Sequence, residues 1–477
     1  AVGAGNTAKL SVGILSAYQL YGDGSNLSGV GWSPDSQENL YAGTNAGASS
    51  DGDTCYNVAI GYSAGASNDD SGCSVFIGKD AGANYAGICG RHVFIGMCAG
   101  KNFGVGRCNV AIGPQALYGY STSTGCSNVA IGRKAGCMVT SGNCNVLMGF
   151  EAGRGVTEGY YNVMIGSGAG GGTCVCSSCT SVFIGNNAGR CSKGDWGIAI
   201  GDSTLCTVTG DANIAIGRNA GKGSSTYADN TGQCNVFVGG CAGLCISSGN
   251  YNAAFGMSAL NLVSTGECNV AMGRYAGKSV TDCHSNVFFG SSAGCDLNSG
   301  TKNVYLGNRA GYGVTDGDYN IFLGADAGNG STSSGNYNIT IGYEAGKTST
   351  NGEENIFIGK GAGKNATTSG SENVFIGCYA GNSSSGAGGN QFIGGNAGRN
   401  STGAYNVVVG RHALCGNGSH SGWNNVAIGM AAGRCITGGG ANVFIGRYAA
   451  CDFVTGSYNV AIGHNVQPSL LSGDTQL

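Results

Sequence analysis

Charge and proline are scarce in this chain of 477 residues. Only 10% of the residues are charged, the net charge is -3, and there are 3 prolines. No basic block marks a nucleic-acid or membrane-binding surface. No apolar run approaches the roughly 20 residues that a bilayer-spanning helix needs. We therefore expect neither nucleic acid nor membrane insertion among the interactions of this protein.

Glycine and cysteine are abundant, with 94 and 23 residues. Glycine does not recur at every third position, which excludes collagen, and the apolar fraction of 41% is too high for a disordered linker. So many cysteines are typical of an oxidising, extracellular setting. Because their number is odd, at least one is unpaired within the chain or paired between chains.

A nine-residue phrase, cleanest at Asn355–Gly363 (NIFIGKGAG), recurs 25 times between Asn39 and Val466. Its fifth residue is a glycine in every copy, from Gly43 to Gly463, and most copies lie 17 or 18 residues apart. A period this short indicates stacked units, because no single unit can bury its own apolar face.

Each phrase contains a short apolar run that is too brief for a helix and is closed by glycine, which predicts a strand. The looser segment after Ala-Gly predicts a second short strand. The expected fold is all-β: a β-solenoid, or β-roll, of about 25 coils of 17–18 residues with two short strands per coil. At the usual spacing of ~4.8 Å between strands, the coils would form a rod of roughly 120 Å.

The residue that opens each phrase is Asn in 21 copies, and the exceptions are Ser74, His92, Ser181 and Gly197. In stacked coils these side chains form a column, where Asn can cap backbone groups, tolerate a left-handed conformation and hydrogen-bond to the coils above and below. We assign this structural turn column to Asn57, Asn109, Asn128, Asn145, Asn162, Asn355, Asn459 and their equivalents.

The middle residue of the apolar run indicates how the chains assemble. If the two aliphatic residues beside it point into the coil, alternation sends it outward, yet this column contains ten Phe and nine Ala. An exposed stripe of that length would aggregate, so we predict an inter-chain seam at Phe76, Phe94, Phe183, Phe237, Phe288, Phe322, Phe357, Phe375, Phe392 and Phe444.

A parallel homotrimer around this seam is the preferred assembly, and a dimer or a wider bundle stays open. The alternative is one wide solenoid whose interior takes all three columns of the apolar run. The partner that the sequence predicts is in any case the chain itself.

Many cysteines occur at two positions of the repeat, just before the turn residue or shortly after Ala-Gly. Equivalent positions on adjacent coils would lie about one strand spacing apart, within the 4.4 to 6.8 Å between Cα atoms that a disulfide needs. We predict coil-to-coil bridges, with the best candidates Cys55–Cys73, Cys126–Cys144, Cys191–Cys206 and Cys435–Cys451.

The chain divides into three segments. Residues 1–38 do not fit the repeat and are expected to be an N-terminal attachment or capping segment, residues 39–466 form the repeat body, and residues 467–477 break the pattern at Pro468. Because the sequence starts at Ala1 without a signal-peptide pattern and ends in a phrase that resembles a new coil, we expect a processed or partial chain.

No combination of nucleophile, base and orienting residue is present, so we predict no enzyme, no catalytic residues and no cofactor. The CxxC formed by Cys176 and Cys179 lacks a nearby histidine and a second CxxC, which favours structural disulfides over a metal site. Residues after the closing glycine, such as Arg133/Lys134, Arg218 and Arg274/Tyr275, could contact glycans, although an ordinary solvated edge explains them more simply.

The phrase NVAIGxxA, as at Asn109–Ala116 and Asn128–Ala135, resembles the head repeats of trimeric autotransporter adhesins. The longer form with Ala-Gly and a Thr/Ser-Gly spacer is similar to repeats of phage-type tail fibres, including those that end in a self-cleaving chaperone domain. The first resemblance implies a left-handed β-roll in an intertwined trimer. The coil here is longer than the usual adhesin repeat, and neither family carries so many cysteines.

These observations predict a structural extracellular fibre shaft, first of all a virion tail fibre that mediates attachment to the host surface. The alternative is a cell-surface adhesin or a self-assembling extracellular filament. The predicted location is therefore the virion surface or a cell-surface appendage, and a cell-surface glycan or receptor is the candidate external partner.

Overall fold

The computed structural model describes residues 34–475 apart from 69–71, 86, 88–89, 121–122, 173–178, 225–229, 331–334, 349–351, 367–369, 386–387, 417 and 470–472. Most of the predicted N-terminal segment, residues 1–33, lies outside the described residues, as do Cys174 and Cys176 of the cysteine-rich loop.

Within the described residues the regular structure consists of 25 strands of three residues each. The strands are β1 (Leu40–Ala42), β2 (Val58–Ile60), β3 (Val75–Ile77), β4 (Val93–Ile95), β5 (Val110–Ile112), β6 (Val129–Ile131), β7 (Val146–Met148), β8 (Val163–Ile165), β9 (Val182–Ile184), β10 (Ile198–Ile200), β11 (Ile214–Ile216), β12 (Val236–Val238), β13 (Ala253–Phe255), β14 (Val270–Met272), β15 (Val287–Phe289), β16 (Val304–Leu306), β17 (Ile321–Leu323), β18 (Ile339–Ile341), β19 (Ile356–Ile358), β20 (Val374–Ile376), β21 (Gln391–Ile393), β22 (Val407–Val409), β23 (Val426–Ile428), β24 (Val443–Ile445) and β25 (Val460–Ile462).

Every strand pairs in parallel with the next strand along the chain, so all 25 form one sheet. The pairing is in register: Val110 lies opposite Val129, and Ala111 lies opposite Ala130. The predicted all-β solenoid is confirmed, and each of the 25 repeats found in the sequence carries one strand.

The prediction of a second strand in each coil was wrong for the described residues, because turns occupy that part of the repeat. Besides the closing glycine, at least three positions per coil have positive φ, as at Lys134 (φ 59°), Gly136 (φ 58°) and Cys144 (φ 57°). Left-handed residues bend the chain within one or two positions and therefore interrupt an extended strand. We call the bent segment that follows each closing glycine the turn run.

The closing glycine is required by its backbone conformation and by the coil stacked on it. Gly132 has φ +129°, which L-residues rarely adopt, and a Cβ there would lie 2.5 Å from the carbonyl oxygen of Gly149 in the next coil. The same geometry recurs at Gly149, where the clash is with Gly166 at 2.6 Å. A side chain at this corner would therefore push adjacent coils apart.

The core runs through the centre of the solenoid as three stacked columns. They are the middle residue of each strand, the alanine three residues after the closing glycine, and an apolar residue four positions further on. In one coil these are Leu147, Ala152 and Val156, all fully buried.

Where two adjacent coils both have a small middle residue, leucine from the turn run fills the core. Leu260 occupies the position that is usually the glycine of Ala-Gly, and the middle residues of its own and the next coil are Ala254 and Ala271. A Cβ at Gly277 in the next coil would lie 2.9 Å from Leu260 Cδ2. Leu117, Leu205 and Leu414 occupy the same position and are also buried. The summed volume of the core side chains is therefore kept constant over pairs of coils rather than within each coil.

Candidate interaction surfaces

The predicted turn column forms a buried ladder of amide side chains. Asn128 Oδ1 accepts hydrogen bonds from the Asn145 backbone N–H at 3.0 Å and from Asn145 Nδ2 at 2.9 Å. Asn128 Nδ2 donates to the carbonyl of Gly142 at 2.8 Å, so both ends of the amide are used. Equivalent bonds link Asn109 to Asn128 and Asn145 to Asn162. The predicted capping and stacking roles are confirmed for these rungs.

The left-handed residue of this bend, however, is not the asparagine. It is the preceding residue, such as Ser127 (φ 57°) before Asn128 or Tyr161 (φ 58°) before Asn162. The asparagine side chain has to point into the bend to reach the next coil, and the residue before it makes the turn. The left-handed role proposed for the asparagine was therefore wrong.

His92 replaces asparagine in the ladder with the same pattern of donors and acceptors. Its Nδ1 accepts from the Asn109 N–H at 3.2 Å, and its Nε2 lies 3.0 Å from the Gly106 carbonyl, to which it donates as the Nε2-protonated tautomer. The ring stacks on Phe94 with centroids 4.6 Å apart. Burial lowers the pKa of His92 to about 4, so the ring is neutral near pH 7.

The phenylalanine column lies inside the solenoid and not at an inter-chain seam. None of these side chains is more than 5% exposed: Phe76, Phe94, Phe183, Phe237, Phe288, Phe322, Phe357, Phe375, Phe392 and Phe444. The assignment was wrong because the turn run folds over the middle residue of the strand. At Gly398, for example, a Cβ would lie 2.3 Å from Phe392 Cδ2.

The first and third residues of each strand point outward instead. We call these two columns the outer sheet face. Of its 50 positions only Gln391 is polar, and the others are mainly Val and Ile. In the middle of the sheet Val287 is 38% exposed and Phe289 is 50% exposed. The alternative in which one wide interior holds all three columns is therefore also wrong.

Exposed aromatic residues follow one edge of the outer sheet face. They occupy the left-handed position before the turn column, and Tyr56, Tyr161, Trp196, Tyr251, Tyr405 and Tyr458 are all exposed. Other aromatic rings make cation–π contacts with arginine. The guanidinium of Arg133 lies 5.4 Å from the Phe150 ring centroid, and that of Arg274 lies 4.6 Å from the Tyr275 centroid. The positions predicted to contact glycans thus lie on an accessible surface.

The predicted cysteine pairs are neighbours in the structure. A backbone hydrogen bond joins the two residues of each pair, from Cys73 N to Cys55 O at 3.1 Å, from Cys144 to Cys126 at 2.9 Å, from Cys191 to Cys206 at 2.8 Å and from Cys435 to Cys451 at 3.1 Å. The thiols of Cys55, Cys73, Cys126, Cys144, Cys206, Cys435 and Cys451 are free. Their adjacency is confirmed, and the covalent bonds stay a prediction.

The described residues offer neither a metal site nor a membrane-spanning helix. They contain no group of three or more His, Cys, Asp or Glu side chains arranged to hold a metal ion. Among the same residues there is no helix long and apolar enough to cross a membrane. No protein-family model matches the chain, and no curated protein is significantly similar to it.

We expect His92 to make the local stability of its coils depend on pH. The folded pKa of about 4 lies below the unfolded value of 6.5. Stability is therefore complete above about pH 6.5 and falls toward pH 4, because the unfolded chain takes up the proton first. The loss is about 3 kcal/mol. It should appear as a drop in hydrogen-exchange protection around Asn109 between pH 8 and pH 4.

His92→Asn restores the amide of the ladder and removes the titrating imidazole. Its loss of hydrogen-exchange protection between pH 8 and pH 4 should therefore be smaller than that of the unaltered protein by about 3 kcal/mol. His412→Asn, in a turn run, is the matched control and should behave like the unaltered protein. An equal pH dependence in the unaltered protein and in His92→Asn would contradict this role of His92.

Oxidation should join the four predicted cysteine pairs. We expect peptide mapping after treatment with oxidised glutathione, which accepts the two electrons and releases reduced glutathione, to find all four bridges. Burial raises the pKa of the Cys206 and Cys451 thiols, so their pairs should react more slowly at neutral pH. Among the described residues no backbone hydrogen bond joins Cys108 or Cys234 to another cysteine, and both should stay open to alkylation. Recovery of the four pairs as alkylated thiols would refute the prediction.

Proposed function

We propose that this chain is the shaft of an extracellular fibre on a virion, and that three copies pack around one axis through their outer sheet faces. The observation that carries the proposal is the apolar outer sheet face, in which Gln391 is the only polar residue among 50. Parallel strands that are apolar on both faces are normally covered on both. The inner face is covered by the turn runs, so the outer face requires a partner.

The area of the outer sheet face supports a stable interface. With 25 strands at ~4.8 Å spacing and a width of about 10 Å for two columns, it covers roughly 1,200 Å². Stable complexes bury about 800 Å² per partner, and exposed apolar patches above a few hundred Å² usually mark interaction sites. A second copy fits best, because its face repeats with the same spacing and is equally free of charge.

The aromatic edge favours three copies over two. If two copies packed their outer sheet faces together, only those faces would be covered. The edge with Tyr161, Tyr251 and Tyr405 would stay open to water. Around a three-fold axis each edge lies against the flank of its neighbour, which covers those rings as well. Aromatic side chains are enriched at such interfaces because they bury a large area with little loss of conformational entropy.

The proposed role is mechanical rather than catalytic. Each coil is fixed to the next by strand pairing and by the asparagine ladder, so the body is a rod that holds its ends roughly 120 Å apart. Contacts with a host surface would then be spread over turn runs and ends, with a glycan or protein receptor as the partner. The corresponding location is the virion surface.

A cell-surface adhesin or extracellular filament built from the same rods is the second candidate. The number of cysteines favours the filament, since 23 cysteines are unusual both for the tail fibres and for the adhesins that the repeat resembles. An exposed thiol outside the predicted pairs, such as Cys108, Cys234 or Cys268, can also join one rod to another in an oxidising medium.

The assembly should depend on the outer sheet face. We expect the unaltered protein to sediment as a trimer and Val287→Lys/Val304→Lys to sediment as a smaller species. The double variant would otherwise bury four lysine charges in a dimer, or six in a trimer, without partners. Ser299→Lys places one such charge per chain on an exposed turn run and should leave the trimer intact. Circular dichroism should show the same strand content in all three proteins.

A native mass of one chain for the unaltered protein would refute the oligomer. A dimer would keep the interface and reject the three-fold geometry. Open-ended polymers would favour the filament.

The virion assignment is tested by immunogold electron microscopy of the native source with antibody against the repeat body. We expect gold on spikes attached to capsids. Gold along cell-attached or free filaments would reject the virion fibre and support the second candidate.

A further inference from the structure

One coil lacks the side chains that its neighbours project from the turn run. The second and fifth residues after the closing glycine are Glu151 and Arg154 in the coil of β7, and Asn187 and Arg190 in the coil of β9. In the coil of β8 between them, the same positions are Gly168 and Gly171. The missing side chains leave a notch with a volume of about 520 Å³.

The glycine at 168 is not required by the fold. Gly168 has φ +66°, but the equivalent Glu151 and Asn187 adopt φ 54° and 51° with full side chains. A Cβ at Gly168 would meet only the end of the Asn187 side chain, with Oδ1 at 2.7 Å. Gly171 differs, because a Cβ there would lie 2.7 Å from the carbonyl oxygen of Glu151. Gly168 therefore keeps the notch open without contributing to the backbone geometry.

The notch is lined by charged groups on both sides and by an aromatic ring. Arg154 lies 3.4 Å from Glu151 and neutralises it. Arg190, two coils away from Arg154, is exposed and makes no ion pair with any described residue. Phe150 is 45% exposed and lines the same space. A free guanidinium, an amide and an aromatic ring thus converge on one cavity.

From this geometry we infer that the notch binds one acidic sugar unit, a monosaccharide ring that carries a carboxylate. The Arg190 guanidinium binds the carboxylate through paired hydrogen bonds. The apolar face of the sugar ring packs on Phe150, while the Asn187 amide reaches the hydroxyl groups. A volume of about 520 Å³ lies within the usual range for small-molecule sites. The biological meaning of the inference rests on the proposed attachment role, for which it names the ligand class.

The test is to titrate the full chain separately with sodium glucuronate, glucose and sodium sulfate. Binding is measured by isothermal calorimetry or ligand-observed NMR. We expect saturable binding of glucuronate and at least tenfold weaker binding of glucose and of sulfate. Glucose that binds as well as glucuronate would remove the role of Arg190, and sulfate that binds as well would reduce the notch to a simple anion site. Absence of glucuronate binding would overturn the inference.

Two variants locate the site. Gly168→Gln fills the notch with a side chain of the size found on adjacent coils, and Arg190→Gln removes the charge; each should weaken glucuronate binding at least tenfold. Ser292→Gln, at the equivalent position of the β15 coil, is the matched control and should bind like the unaltered protein. Undiminished binding by Gly168→Gln would place the ligand elsewhere.

These outcomes are independent of the fibre proposal. Loss of sugar binding in Gly168→Gln should leave both the sedimentation of the trimer and the immunogold location unchanged. A monomeric protein that still binds glucuronate at the notch would reject the assembly and keep the site.

Discussion

The buried asparagine ladder is the constraint on which the rest of the structure depends. Each side-chain oxygen has to meet the backbone N–H of the next coil, and each side-chain nitrogen has to meet a carbonyl of that coil. An amide that misses its partners in this interior would cost several times what a formed bond contributes. Every coil therefore returns to the same register, and differences in repeat length, from 16 to 22 residues, fall between the rungs.

Much of the fold was predictable because the repeat is so regular. Strand positions, the stacking of coils and the capping role of the turn column follow from the closing glycine and the asparagine that precedes each strand. The turn runs were not predicted, since left-handed residues such as Lys134, Glu151 and Ser203 share no residue type. Their conformation comes from the coil stacked on them, which a single repeat does not reveal.

The direction of the strand side chains could not be predicted from alternation, because both faces of the sheet are apolar. A signal was nevertheless present in the spacing of large and small residues. Where the middle residues are Ala254 and Ala271, the turn run supplies Leu260 instead of glycine. Such volume compensation is expected only among residues that pack together, whereas the outer columns are mainly Val and Ile whatever the size of the middle residue. The notch shows a related limit: Glu151, Gly168 and Asn187 share one repeat position and are expected to stack, but the sequence does not show that a side chain would fit at Gly168.

Each coil contacts only the coils directly before and after it, and this has a consequence for how the number of coils evolves. Because every coil offers the same ladder and the same corner glycine, recombination between misaligned copies of the gene would add or remove whole coils and leave every junction in register. Rods of different length would then arise in single genetic events. The leucine-filled coils set a condition on such exchanges: Leu414 and the Ala427 of the next coil have to be gained or lost together, so that viable lengths would tend to differ by pairs of coils.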